Sequence, residues 1–364
     1  MIHVLRRHRL AVLGLLAVLT ATSMSWDSAE ARSARQRAQK QQVVTPRTDF
    51  GPRYADIVID ANSGEVLHEA KPDEPRHPAS LTKIMTLYLL FEQLEAGKLR
   101  LDTPLPVSAK AAGQHPVKLG LKAGQALTVE EGLKALITKS ANDAAVVIAE
   151  AIGGTEADFA KLMTRKAKML GMADTVYINA SGLPAGEQIT TAREQANLGR
   201  AIQDRFPDYY RYFATASFRF RGREIGNHNA LLTQMKGVDG IKTGYTDASG
   251  YNLVSSLRRD RKHLVAVVLG GSSNGARNAR MSQLLEQHIV QASVQRTAPK
   301  IVEVALPADY EDFVPVRKAT ASTPLPIPRV EPLIAPVLAS ARTEPASKHT
   351  VNKRHTHRTR AAAR

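Results

Sequence analysis

The stretch Pro78-Ala79-Ser80-Leu81-Thr82-Lys83-Ile84-Met85-Thr86 opens a run from Leu81 to Leu94 that is apolar enough for a buried helix. A proline just outside a helix start is favourable, because its missing N–H costs nothing there. Ser80 stands at the helix start and Lys83 one turn later, so the two share a face. Upstream, Ile57-Val58-Ile59, a turn at Asn62-Ser63-Gly64 and Val66-Leu67 predict a β-hairpin. Downstream, Val129 to Ile137, Ala141 to Ile152, Ala157 to Leu170 and Thr191 to Ile202 place apolar residues three and four apart. Asp or Thr stand near several of these starts as candidate caps. Strand character returns after Asp239-Gly240. Leu253 to Leu257, a charged turn of Arg258-Arg259-Asp260-Arg261-Lys262, and Leu264 to Leu269 predict a second hairpin, with Ala276 to Val290 as a closing helix.

Strands at both ends with helices between them predict a mixed α/β chain of the α+β type. One antiparallel sheet, in which the two ends of the folded region pair, is packed with helices, and the middle of the chain forms a helical lobe. A site at the junction of sheet and lobe is then natural. The folded domain is expected over 54–297. Residues 298–364 read as a Pro-rich, basic tail, disordered from 315 onward, with 298–316 as a remnant of a second domain. Its His349, His355 and His357 read as part of a solvated basic segment rather than as metal ligands.

The 364 residues are 43% hydrophobic and 23% charged, which suits a globular chain of one large or two modest domains. There is no cysteine, so disulfides and Cys-ligated metal sites are excluded. Arg6, Arg7 and Arg9 precede an apolar core from Leu10 to Thr20, and Ala29-Glu30-Ala31 offers small residues for signal peptidase. Residues 1–31 therefore predict a secretory signal cleaved near Ala31, and 32–53 a flexible basic leader. The apolar run is short for a bilayer span, which needs about 20 residues. The formal charge of +16 divides as +1 over 1–31 and +5 over each of 32–53, 54–297 and 298–364. Most of the excess lies in flanking segments, which argues against nucleic acid and for an anionic surface of the cell envelope.

Three motifs follow in order: Ser80-Leu81-Thr82-Lys83, Ser140-Ala141-Asn142 and Lys242-Thr243-Gly244. Their chemistry is acyl transfer by a serine that a lysine activates. A serine hydroxyl is a poor nucleophile until a base takes its proton, and Lys83 can be that base only when neutral. Lowering its pKa from ~10.4 to ~7 needs about 4–5 kcal/mol. A second ammonium about 4 Å away supplies up to ~4 kcal/mol at an effective dielectric near 20. Lys242 is the candidate, with burial adding to it. Ser140 is expected to bridge the two lysines and relay the proton. Asn142 is expected to hold Lys83 and the substrate backbone. Lys242 and Thr243 suit a substrate carboxylate, and Gly244 lets the strand approach a bound chain. The N–H groups of Ser80 and Tyr245 are candidates for an oxyanion hole. His77, His115 and His228 lack a Ser or Asp at a telling spacing and read as structural or exposed. The site needs no cofactor and no metal.

Over roughly residues 54–290 the chain resembles the low-molecular-mass penicillin-binding proteins, the D-alanyl-D-alanine carboxypeptidases of peptidase family S11. The resemblance rests on Pro78 to Thr86, on Ser140-Ala141-Asn142-Asp143-Ala144-Ala145, and on Asn179-Ala180-Ser181-Gly182-Leu183. It rests also on Asp239 to Thr246 followed by Gly250-Tyr251-Asn252-Leu253-Val254. It implies a serine β-lactamase/penicillin-binding transpeptidase-like fold, with Ser80 as the acylated nucleophile and Lys83 as proton acceptor. Ser140 would be the third catalytic residue, and Lys242 would contact the substrate carboxylate. The implied activity removes the terminal D-Ala from peptidoglycan stem pentapeptides, and β-lactams are the implied inhibitors. A D,D-endopeptidase cutting cross-links, or a catalytically idle cell-wall binding protein, are the alternatives. A class A β-lactamase would need a carboxylate between the second and third motifs. Thr175 to Pro184 carries no acid, and Glu187 lies in a Gly-flanked loop.

Overall fold

The structure, a computed structural model, describes residues 51–306. The expected signal sequence, most of the basic leader, and the tail from 307 onward with its three histidines lie outside the described residues.

The chain opens with β1 (Ala55–Asp60), buried along its whole length, which turns into β2 (Val66–Ala70). A 3-10 turn over Ala79–Leu81 leads into α1 (Thr82–Glu95), and a small hairpin of β3 (Pro104–Pro106) and β4 (Ala126–Thr128) follows. The lobe continues with α2 (Val129–Ile137), α3 (Asn142–Gly153), α4 (Glu156–Met169) and α5 (Ala192–Arg205). A second small hairpin, β5 (Ser217–Phe220) and β6 (Arg223–Gly226), precedes the return to the main sheet. That return is β7 (Val238–Thr246), β8 (Gly250–Arg259) and β9 (Lys262–Gly271), closed by α6 (Asn274–Ile289).

The main sheet has the order β2-β1-β9-β8-β7, and every pairing is antiparallel. The N-terminal strand pairs with the C-terminal one, Ile57 opposite Val267, so the two ends of the domain meet as the strand pattern predicts. Side chains alternate across the sheet. Ile57, Ile59, Val265 and Val267 enter the core shared with the lobe helices. Val58, Leu264, Ala266 and Val268 pack instead under α6, against Met281, Leu284 and Leu285. The sheet is thus covered on both faces, which is why its strands read as nearly continuous apolar runs.

Helix α1 is buried at eleven of its fourteen residues, so it runs through the centre of the molecule and carries its first turn to the sheet junction. Three of the other lobe helices start on side-chain caps, whereas α3 follows Ala141, which has no side chain to cap with. Thr128 and Glu131 form a reciprocal capping box at α2, and Thr155 and Thr191 cap α4 and α5. Two boundaries differ from expectation. The charged turn is narrower than 258–262: only Asp260 and Arg261, both at positive φ, make the bend, while Arg258, Arg259 and Lys262 belong to the strands. The β5–β6 hairpin is absent from the sequence reading because its alternation covers too few residues to register. Beyond α6, Ala298 N–H donates to Asn62 O, Ile301 N–H to Asp204 and Val304 N–H to Met169 O. Residues 298–306 therefore run back over the helices. Among the described residues, no helix is long and apolar enough to cross a membrane.

Candidate active site

Ser80 lies in the 3-10 turn just before α1, and the residue before it, Ala79, is held at φ +49°. A left-handed conformation at a residue with a side chain costs about 1–2 kcal/mol, so the surroundings must impose it. Asn252, fully buried on β8, donates through its side-chain amide to His77 O and Pro78 O, while its own oxygen accepts from Gly270 N–H. From the lobe side, Gly182 presses on the Ala79 carbonyl. From the sheet side, a Cβ on Gly244 would stand 3.0 Å from Ser80 N. The Ala79–Ser80 segment is thus clamped between two glycines: a Cβ at 182 would collide with its backbone, and one at 244 would fit only if the neighbouring backbone gave way slightly.

Lys83 is fully buried. Its Nζ lies 3.1 Å from Ser80 Oγ and 2.8 Å from Asn142 Oδ1, and it also contacts Ser181 O. A neutral amine has two hydrogens and one lone pair. It can donate to Asn142 and Ser181 and leave its lone pair facing the Ser80 hydroxyl. Burial holds this lysine well below the ordinary lysine range, and the Lys242 charge adds to the effect, while Asp143 opposes it. The order of causes differs from the sequence argument, which put Lys242 first. The buried apolar packing of α1 contributes more than the neighbouring cation.

Lys242, on β7 and 1% exposed, donates to Thr243 O at 2.9 Å. Burial, with Arg277 as the second cause, brings its amine down to about 7. Ser140 sits at φ +60° between α2 and α3, and its Oγ is buried without a hydrogen-bond partner among the described residues. The expected Ser140 bridge between the lysines is therefore not formed. A buried hydroxyl without a partner costs about 1–3 kcal/mol, which a ligand at that point would recover. Asn142 holds Lys83 as expected, but its amide nitrogen is taken by His115 O at 3.1 Å rather than turned toward a substrate.

One cleft of about 220 Å³ gathers Ser80, Ser140, Thr243, Gly244 and Tyr245 with Val117, His228, Tyr251, Asn274 and Arg277. Tyr245 is half exposed at the rim and packs at a tilt against Tyr251, with ring centroids 4.3 Å apart. His228 is exposed and faces the cleft, whereas His77 uses Nδ1 on Gln188 O behind it. Two residues without a reading in the sequence matter here. Arg277 on α6 is 2% exposed, and its contacts are Asn252 O and the side chains of Asn274 and Asn278. No carboxylate pairs with it among the described residues. Burial lowers it to about 10, so it stays a cation at neutral pH. No motif surrounds it, and only the fold brings α6 beside Thr243. Asp143 accepts from the N–H groups of Leu119, Gly120, Leu121 and Ala144, which fixes the loop beside the cleft. Its position next to Asn142 was the available signal.

A serine on a buried-lysine turn, beside an antiparallel sheet with a Lys-Thr-Gly strand and a helical lobe, defines the class of serine acyl-transfer proteins with the penicillin-binding fold. The chain belongs to the D-alanyl-D-alanine carboxypeptidase family, Peptidase_S11, whose model matches residues 51–273. It is 37% identical over 255 residues to the D-alanyl-D-alanine carboxypeptidase DacC of Escherichia coli, a match covering 68% of this chain and 63% of that protein. It is 34% identical over 239 residues to DacF of Bacillus subtilis, covering 63% of this chain and 60% of the relative. The chain thus spans about three fifths of the length of these curated relatives. Among solved structures, penicillin-binding protein 5 of Haemophilus influenzae superposes with a TM-score of 0.63 at 30% identity, over 65% of this chain and 70% of that one.

Proposed function

We propose that this chain is a serine-type D-alanyl-D-alanine carboxypeptidase that removes the terminal D-Ala from peptidoglycan stem pentapeptides. The observation that carries this reading is the buried Lys83 amine, 3.1 Å from Ser80 Oγ and held below its ordinary range. Ser80 Oγ attacks the carbonyl of the penultimate D-Ala while its proton passes to the Lys83 lone pair. The oxyanion that forms is received by the N–H groups of Ser80 and Tyr245. Arg277, Lys242 and Thr243 take the terminal carboxylate, and binding it favours the charged form of Lys242. The C–N bond then breaks as the proton moves through Ser140 Oγ to the leaving amine. D-Ala departs, and the acyl group stays on Ser80. Water, deprotonated by Lys83, attacks the ester, and the shortened stem leaves with Ser80 restored. A β-lactam enters the same path, but its leaving amine stays tethered, so the adduct persists.

The basic, cysteine-free chain with its Arg-flanked apolar leader suits export to the cell envelope with cleavage near Ala31, a peptidase domain over 54–297, and attraction of the 298–364 tail to an anionic surface. An N-terminal mass of the exported protein checks the cleavage. Intact-mass analysis after penicillin should show one added ligand that is lost in Ser80→Ala; an adduct that persists in this variant sinks the assignment. Muropeptide products decide the reaction. Loss of one D-Ala per stem is the expected outcome, and released cross-links would mark an endopeptidase instead.

A further inference from the structure

The β5–β6 hairpin has a core face, and its outer face and tip are exposed; Arg219 lies on the outer face opposite Glu224, and Arg223 is opposite Phe220 at the tip. Phe218 and Phe220 are buried in the lobe core, while Ser217, Arg219, Arg221 and Arg223 face solvent. At the tip, Arg221 lies over the Phe220 ring, 4.9 Å from its centroid, and donates to Gln125 Oε1 at 2.8 Å. The same Gln125 oxygen accepts from Lys122 N–H, so the exposed Lys122 turn adjoins the hairpin tip. Acids are scarce here. Residues 211–238 carry four arginines and a lysine against Glu224 alone, and residues 103–129 carry three lysines and no acid. Glu224 reaches Arg219 only at 3.9 Å, with both side chains exposed. Such a pair contributes little, so the cations of this surface remain available to an outside partner.

Both segments lead directly into the cleft. After β6 the chain is pinned by Asn227 N–H to Ala216 O and by His228 N–H to Thr138 O, and His228 is a wall of the cleft. From Lys122 the loop runs back to Val117, another wall, across the N–H groups held by Asp143. Six residues, four of them in β6, separate the Gly222 tip from His228, at most about 20 Å at ~3.3 Å per extended residue. A cationic strip therefore extends outward from the lobe side of the cleft by several residue lengths.

We propose that the exposed outer face and tip of the β5–β6 hairpin, with Lys122, are a docking surface for a carboxylate-bearing polymer whose chain end enters the cleft. Resting on the function proposed above, that polymer is peptidoglycan, with the free carboxylates of neighbouring stem peptides as the groups recognised. A small soluble peptide reaches only the cleft and gains nothing from the strip. Opposite charges arrayed along an approach path raise association rates by about 10-fold or more at low salt, and salt screens the effect.

The test compares the full-length protein with a triple variant, Arg219→Gln, Arg221→Gln and Arg223→Gln, and with the triple Arg→Lys variant. Phe218 and Phe220, which anchor the hairpin, are untouched. D-Ala release from isolated sacculi should fall roughly tenfold in the Gln variant at low salt and recover in the Lys variant. Release from a soluble acyl-D-Ala-D-Ala peptide should stay within twofold in both. Added salt should lower wild-type activity on sacculi toward that of the Gln variant, and co-sedimentation with sacculi should weaken in parallel. Unchanged activity and binding on sacculi in the Gln variant would overturn the proposal. So would equal losses on polymer and peptide, which would make the hairpin a support of the site. Co-sedimentation with anionic phospholipid vesicles that depends on these arginines, without such dependence on sacculi, would assign the strip to a membrane surface. If wild-type protein releases D-Ala from neither substrate, the functional reading itself fails, whereas arginine-dependent binding to sacculi would still separate the two questions.

Discussion

Gly182→Ala is the substitution whose effect the geometry states most directly. Gly182 is at φ +83°, and a Cβ there would fall onto the Ala79 carbonyl and 2.9 Å from Ser80 N. The left-handed conformation costs a residue with a side chain about 1–2 kcal/mol. Forcing a methyl against backbone rather than a movable side chain adds roughly 1–3 kcal/mol. About 2–5 kcal/mol of destabilisation follows, which for a domain of this size lowers Tm by roughly 4–20 °C at about 2–4 °C per kcal/mol. The displaced groups are the Ala79–Ser80 peptide and its N–H, so acylation should slow by about 100-fold, the usual consequence of misplacing a reacting group by an ångström. Gly186→Ala is the matched control, with no atom within 4 Å of its Cβ position. Tm and the rate of fluorescent-penicillin acylation measure both effects. A Gly182→Ala protein within 1 kcal/mol and twofold of wild type would refute the clamp.

Three further outcomes are expected. Lys242→Ala should damage turnover more than Lys242→Arg. It should also move the acidic limb of the pH–rate profile upward, because Lys83 loses a neighbouring cation and keeps its proton to higher pH. The limb should still lie far below the ordinary lysine value, since burial remains, and an unmoved limb would mean that Lys242 does not act on Lys83. Asp143→Ala should cost about 2–4 kcal/mol in urea denaturation, because three loop N–H groups and that of Ala144 lose their acceptor; a change under 0.5 kcal/mol would show that water replaces the carboxylate freely. Deleting 315–364 should leave activity on a small soluble D-Ala-D-Ala peptide nearly unchanged while weakening salt-sensitive co-sedimentation with sacculi or anionic membranes. Equal binding of both forms, or loss of soluble-peptide activity, would count against that reading of the tail.

The sheet and the long helices were legible because burial on both faces writes itself into the sequence. The apolar centres of β1 (Ile57 to Ile59) and β9 (Leu264 to Leu269) read as strand, and α1 as an apolar helix. The nucleophile turn and the Lys-Thr-Gly strand were legible because chemistry confines the residue types. Arg277 was not legible, since its relevance comes from a tertiary juxtaposition that local spacing does not encode. Nor was the state of Ser140, whose unpartnered hydroxyl depends on a φ of +60° that no propensity predicts for serine. The β5–β6 hairpin escaped for a third reason. Four residues of alternation carry too little signal, although Phe218 and Phe220 hold it firmly in the core.

The burial that holds Lys83 below the ordinary lysine range has a counterpart in stability, and Lys242 shows its sign. The Lys242 amine falls from 10.5 to about 7 on folding. Between those values the unfolded chain binds a proton that the folded protein does not, so stability rises with pH across that window. Below about pH 7 the fold must hold a buried ammonium that the unfolded chain leaves in water, a cost on the order of 5 kcal/mol at 1.36 kcal/mol per unit. A fold selected for stability alone would place an apolar residue there. Keeping the lysine instead makes its charge responsive to what enters the cleft. On the function proposed above, a carboxylate beside Arg277 and Thr243 would favour the protonated amine, so ligand binding would restore the charge that burial removed. Burial depresses Lys83 against the pull of Asp143, whereas among the described residues no anion offsets it at Lys242, so the two lysines, chemically alike in sequence, acquire different electrostatic surroundings from the elements that carry them.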